Sequence, residues 1–157
     1  MASTTSAAPA VQSISDLTLR IEEEIHVHAS LDQTFAALLE QLGPENTGGD
    51  GKPMPMKIEA WPGGRWFRDL GDNNGHLWGH VQAIKRPTLL EICGPLMISS
   101  PVYSNVQYRL IEVDGCTLIR FHHLALGFAP DNFRAGVNSG WKGIHERVRK
   151  AAESNRL

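Results

Sequence analysis

The chain has 157 residues, 41% of them hydrophobic and 20% charged, with a formal net charge of -2 and a pI near 6.4. That length suits one domain able to bury about 70% of its unfolded surface. The charge balance gives no global basic field for nucleic acid or anionic lipid. No apolar run approaches the roughly 20 residues of a membrane-spanning helix, so no membrane span is expected.

Met1 to about Ser15 is rich in Ala, Ser and Thr, with no Lys or Arg before Arg20. A secretory leader needs a positive start and an apolar core, so residues 1–15 read as a disordered tail before a single domain over 16–157. Cys93 and Cys116 stand far apart in no paired motif. Free thiols in a reducing compartment are the simplest account, which gives a cytoplasmic location as the expectation.

Leu17 to Val27 alternates, with Leu19, Ile21 and Glu23 on one side, and reads as a half-buried strand whose phase falters at Glu22–Glu24. Ser30 with Gln33 three residues on forms a capping box. The helix it opens buries Leu31, Phe35, Leu38, Leu39 and Leu42 and stops at Gly43-Pro44. Glu45 to Pro55 holds three glycines and two prolines and reads as a loop; neither GxxxxGK[ST] nor GxGxxG is present.

Short strands follow over 56–59, 65–70, 76–84 and 89–92, separated by turns at Trp61-Pro62-Gly63-Gly64, at 71–75 and at Arg86-Pro87. Leu96 to Pro101 reads as an irregular edge or flap. Tyr103 to Val113 is a longer strand with Val106, Tyr108 and Leu110 on one face. Asp114-Gly115 is a hairpin turn, and Thr117 to Leu126 returns with Ile119, Phe121 and His123 sharing a face.

Asp131 to Glu153 is one long helix, with an apolar stripe of Phe133, Val137, Trp141, Ile144 and Val148. Pro130 and Asp131 open it. Lys142, Arg147, Arg149 and Lys150 load its last turns with positive charge, where the helix dipole favours it. Gly136, Gly140 and Gly143 interrupt it at about 1 kcal/mol each relative to Ala. Either they pack against another backbone, or their missing side chains leave space between helix and sheet. Hairpin-linked strands imply an antiparallel sheet, so the fold class is α+β: a curved sheet of six to seven strands around a C-terminal helix, with a cavity between.

Several segments together resemble the SRPBCC or START-like superfamily, whose fold is the helix grip. They are His28-Ala29-Ser30, Trp61 to Arg65, Trp78-Gly79-His80-Val81 followed by Pro87, Gly115 to His123, and Gly140-Trp141. Within it, the chain most resembles the branch similar to the C-terminal domain of the Hsp90 ATPase activator, and the resemblance spans about Leu17 to Ala152. The superfamily includes polyketide cyclases, lipid carriers and hormone receptors, so the resemblance implies a fold more than an activity. The glycine-rich Glu45–Pro55 loop departs from the Trp-bearing helical segment of many relatives. No counterpart of the cochaperone's separate N-terminal domain is expected within these 157 residues.

The ligand-binding residues expected from face and phase are Val106, Tyr108, Ile119, Phe121 and His123 on the sheet and Phe133, Val137 and Trp141 on the helix. His123 could orient a ligand carbonyl or act as a general base; the alternative is a core histidine bonded to its neighbours. His76 and His80 share a face with Trp78. Gly79 and Val81 form the opposite set, which is preferred as the inward one. His26 and His28 share a strand face but lack further ligands at recognisable spacing, so no metal and no cofactor is expected. No Ser-His-Asp, Cys-His or G-x-S-x-G arrangement points to nucleophilic catalysis.

The leading expectation is a carrier for a small, largely apolar ligand (lipid, aromatic or polyketide-like), with a homodimer possible. The alternatives are a cavity enzyme (cyclase, dehydratase or hydrolase) using His123, and an interaction or chaperone-regulating module with a filled interior and an exposed patch at Trp61 or Leu96–Val102.

Overall fold

In the computed structural model, which describes residues 13–154, seven antiparallel strands form one unclosed sheet. The expected N-terminal tail lies outside the described residues except for its last three, which lead into a 3-10 turn at Ile14–Leu17. The elements are β1 (Thr18–Val27), α1 (Leu31–Leu42), β2 (Lys57–Ile58), β3 (Arg65–Gly71), β4 (Asn74–Lys85), β5 (Leu89–Gly94), β6 (Val102–Val113), β7 (Cys116–Gly127) and α2 (Asp131–Ser154). Strand order is β1-β7-β6-β5-β4-β3-β2. Only the first strand leaves its sequence place, crossing to pair with β7 over its whole length.

Local chemistry sets these boundaries. The Ser30 hydroxyl accepts from the Gln33 amide at 3.2 Å, and the Gln33 side chain accepts from the Ser30 amide, which starts α1. Asp72 and Asn73 both take positive φ, 51° and 59°, in the two-residue turn joining β3 to β4. Gly94, at φ 155°, lies so close to β4 that a Cβ on it would stand 2.6 Å from the Gly79 Cα. Only glycines let the two backbones approach this closely.

The β1 phase holds through its acidic run. Ile21, Ile25 and Val27 are buried, and Glu23 stays on their side, half-buried. The helix stripe lies largely as expected: Val137, Trp141, Ile144 and Val148 are buried and Phe133 is half-buried, with Ala152 extending the stripe, and α2 lies across the β1–β7–β6 side. The charge pattern of α2 differs. Its last turn carries no basic residue. Arg149 instead pairs with Glu146 and Glu153, and Arg147 turns aside. Among the described residues no helix is long and apolar enough to cross a membrane.

The phase of β4 is corrected by a bulge. Trp66 pairs with Gly79 and Phe67 with Leu77, so Trp78 is an extra residue on β4. The bulge changes face part-way along the strand. His76 and Trp78 turn inward on one side of it and Val81 on the other, while His80 is exposed. Neither alternating set from the sequence survives intact.

Candidate functional site

A cavity of about 770 Å³ opens beside α2. One wall is a flank of α2 running from Asn132 and Phe133 through Gly136, Gly140 and Gly143 to Arg147, with Val137, Trp141 and Ile144 at its base. The second wall is the β3–β4 hairpin, through Arg68, Leu70, His76 and Trp78. The third is the loop after α1, through Asn46, Thr47, the glycines at 48, 49 and 51, and Met54; Met97 also lines the space. The hairpin is braced from behind. The Trp66 indole donates to the Leu42 carbonyl at 2.7 Å and packs edge-on against Trp78 at 5.0 Å, while the Trp78 Nε1–H donates to His76 Nδ1 at 3.2 Å.

The helix glycines decide how this space arises. A Cβ built on Gly136 or on Gly140 would meet no heavy atom within 4 Å. One on Gly143 would meet only the Arg147 Nη1, at 3.5 Å. Close backbone packing is therefore not their reason. The missing side chains leave room on the flank of α2 that faces the hairpin.

Two buried hydrogen-bond chains fix α2 to the sheet beside the cavity. In the first, the Trp141 indole donates to His123 Nδ1 at 3.0 Å, so His123 carries its proton on Nε2 and donates to Ser104 Oγ at 2.9 Å. His123 is fully buried, and desolvation, aided by the charge on His122, pushes its imidazole down to about 4. In the second, His145 Nδ1 donates to Glu23 Oε2 at 2.8 Å, and His145 Nε2 accepts from the Tyr108 hydroxyl at 3.1 Å. Burial lowers the His145 pKa against the raising effect of Glu23. Burial raises the Tyr108 pKa, with the Glu23 charge adding to it. Both rings are therefore neutral donor–acceptor links. Phe121 lies between the two chains, 5.0 Å from Trp141 and 4.5 Å from His145.

Family models gave no match, and no curated protein matched. Solved structures did. Protein MLL2253 from Mesorhizobium loti is 17% identical with a TM-score of 0.65, over 88% of this chain and 100% of that one. The Aha1 dimer from Colwellia psychrerythraea is 18% identical with a TM-score of 0.62, over 88% and 99%. CalU16 from Micromonospora echinospora is 19% identical with a TM-score of 0.57, over 86% and 75%. The chain has the helix-grip fold.

Within this helix-grip chain, the eight expected ligand residues divide. Phe133, Val137 and Trp141 line the cavity. Val106, Tyr108, Ile119, Phe121 and His123 point inward as expected, but they lie in the core beneath α2 and do not line it. The physical reason is that the Trp141 and His145 rings fill the space over β6 and β7, so the opening falls toward β3 and β4. For His123 the core-histidine alternative describes the geometry: both ring nitrogens are engaged and the ring is sealed.

Sequence reasoning missed His145, although its place beside Ile144 and Val148 on the helical stripe could have marked it. It also missed Arg68 and Arg147 as cavity residues. Among the described residues no three His, Cys, Asp or Glu side chains come together as a metal site, and Cys93 and Cys116 are free. Trp61 is 57% exposed, whereas Leu96 and Val102 are buried, so the 96–102 segment is anchored rather than displayed.

Proposed function

We propose that this protein binds a small, largely apolar ligand in the cavity between α2, the β3–β4 hairpin and the loop after α1. The carrying observation is the glycine flank of α2. Three residues that weaken the helix stand where side chains would fit, and all three border the cavity. Trp78, Met97, Phe133, Val137, Trp141 and Ile144 supply apolar surface. Burying about 200 Å² of ligand surface there would contribute roughly 5 kcal/mol, before the cost of immobilising the ligand. The glycine-rich loop gives one wall freedom to adjust on entry.

The test is titration of the protein with lipids, aromatic compounds and polyketide-like compounds, followed by fluorescence of Trp78 and Trp141. Saturable quenching by one class, abolished by Gly140→Phe, supports the reading. A panel that leaves the wild-type spectrum unchanged removes it.

An acid–base enzyme built on His123 is a weaker reading, since that ring is fully buried and both its nitrogens are already hydrogen-bonded. A further observation favours self-association. Tyr103 and Leu126 are cross-strand partners on the outer face of the sheet, 61% and 50% exposed, and Phe128 beside them is 61% exposed. The similar Aha1 structure from Colwellia psychrerythraea is a dimer. Sedimentation of wild type against Leu126→Lys tests this. A dimer lost in the variant supports it, and a wild-type monomer at all concentrations opposes it.

A further inference from the structure

We infer that the ligand carries a carboxylate, held at the Arg147 end of the cavity. The inference rests on the ligand-binding reading above and adds the chemistry of one end of the ligand.

The cavity wall has two charged residues, Arg68 and Arg147, and neither Asp nor Glu. The whole chain has 17 acidic and 15 basic residues, so the sign of this surface runs against that of the molecule. Several other cations among the described residues have partners. Arg65 grips Glu59, Arg120 meets Glu24, Arg149 holds Glu146, Lys57 meets Asp69, and Arg134 binds the carbonyls of Asp16 and Thr18. Arg68 makes no hydrogen bond or ion pair among the described residues. Arg147 has a single long bond, from Nη2 to the Thr47 carbonyl at 3.5 Å, and its Nε is buried with no acceptor.

A guanidinium held against a loop, short of acceptors and without a counter-charge, suits an incoming planar anion that takes two parallel hydrogen bonds. Gly143 is part of the same arrangement. Its missing side chain leaves the place into which the Arg147 Nη1 reaches. The apolar remainder of the ligand would then run along the glycine flank toward Phe133 and Trp78. The class is therefore an amphipathic monocarboxylate with either an aliphatic or an aromatic body.

Calorimetric titration tests this with two matched pairs: decanoate against decanamide, and 1-naphthylacetate against 1-naphthylacetamide. The pairs separate the two kinds of body. Wild type should bind the carboxylate of at least one pair about tenfold or more tighter than its amide. Arg147→Met should erase that preference while leaving the amide within about twofold, and its melting temperature should stay level or rise, because an unsatisfied donor is removed. Arg147→Lys should restore part of the preference.

Amide and acid bound equally by wild type, or Arg147→Met weakening both alike, would overturn the carboxylate assignment and leave the apolar-ligand reading standing. Binding of none of the four compounds by wild type would count against both.

Discussion

Replacing Gly136 and Gly140 by alanine separates the two reasons a helix can contain glycine. Both lie in the interior of α2, where glycine costs about 1 kcal/mol relative to alanine. Their added methyl groups would meet no atom within 4 Å, so no steric cost opposes the gain. The double variant should therefore be about 2 kcal/mol more stable, and a chain of this size should melt roughly 4–8 °C higher. Thermal and urea unfolding followed by far-ultraviolet circular dichroism would measure it, with the urea slope unchanged. Gly143→Ala should add a smaller gain, since its Cβ would touch the Arg147 Nη1 at an ordinary 3.5 Å. A double variant less stable than wild type would refute the reasoning, because it would mean the glycines are there to admit another backbone.

The His123 imidazole, held near 4 against an ordinary 6.5, takes up its proton later in the folded state than in the unfolded one. Its contribution is thus complete above pH 6.5 and is lost as pH falls toward 4, about 2 kcal/mol of it by pH 5. Urea titrations of wild type and His123→Gln between pH 7 and 4 should diverge in slope by nearly one proton, and parallel slopes would count against the sealed ring. Trp141→Phe keeps an aromatic ring but strips His123 Nδ1 of its donor, and should cost about 1–3 kcal/mol in equilibrium unfolding. Gly79→Ala would place a methyl 2.6 Å from the Cys93 carbonyl and should destabilise by about 1–3 kcal/mol, in contrast to the helix glycines. Ser30→Ala should lose about 1 kcal/mol with the cap of α1.

The fold was legible where one local rule governs a whole element. The capping box located α1, and the period-two pattern gave the inner faces of β6 and β7 correctly. The face of β4 was not legible, because one extra residue at Trp78 reverses the alternation and only pairing with β3 reveals it. The site was half legible. The helix wall follows from periodicity and from three costly glycines. The opposite wall depends on which strands α2 covers, and that is decided by the rings of Trp141 and His145 lying over β6 and β7. Arg147 reads from sequence as dipole compensation, and only its place beside Thr47 sets it apart from Arg149.

Native mass spectrometry of the gently purified wild-type chain, alongside a Gly136→Phe/Gly140→Phe variant, tests the central claim most directly. A bound small molecule on the wild type, released on denaturation and missing from a folded variant of matching circular dichroism, is the result expected of a cavity that the glycines keep open. Equal retention of that molecule by both proteins, or bare mass for the wild type even after exposure to the ligand panel, would contradict it.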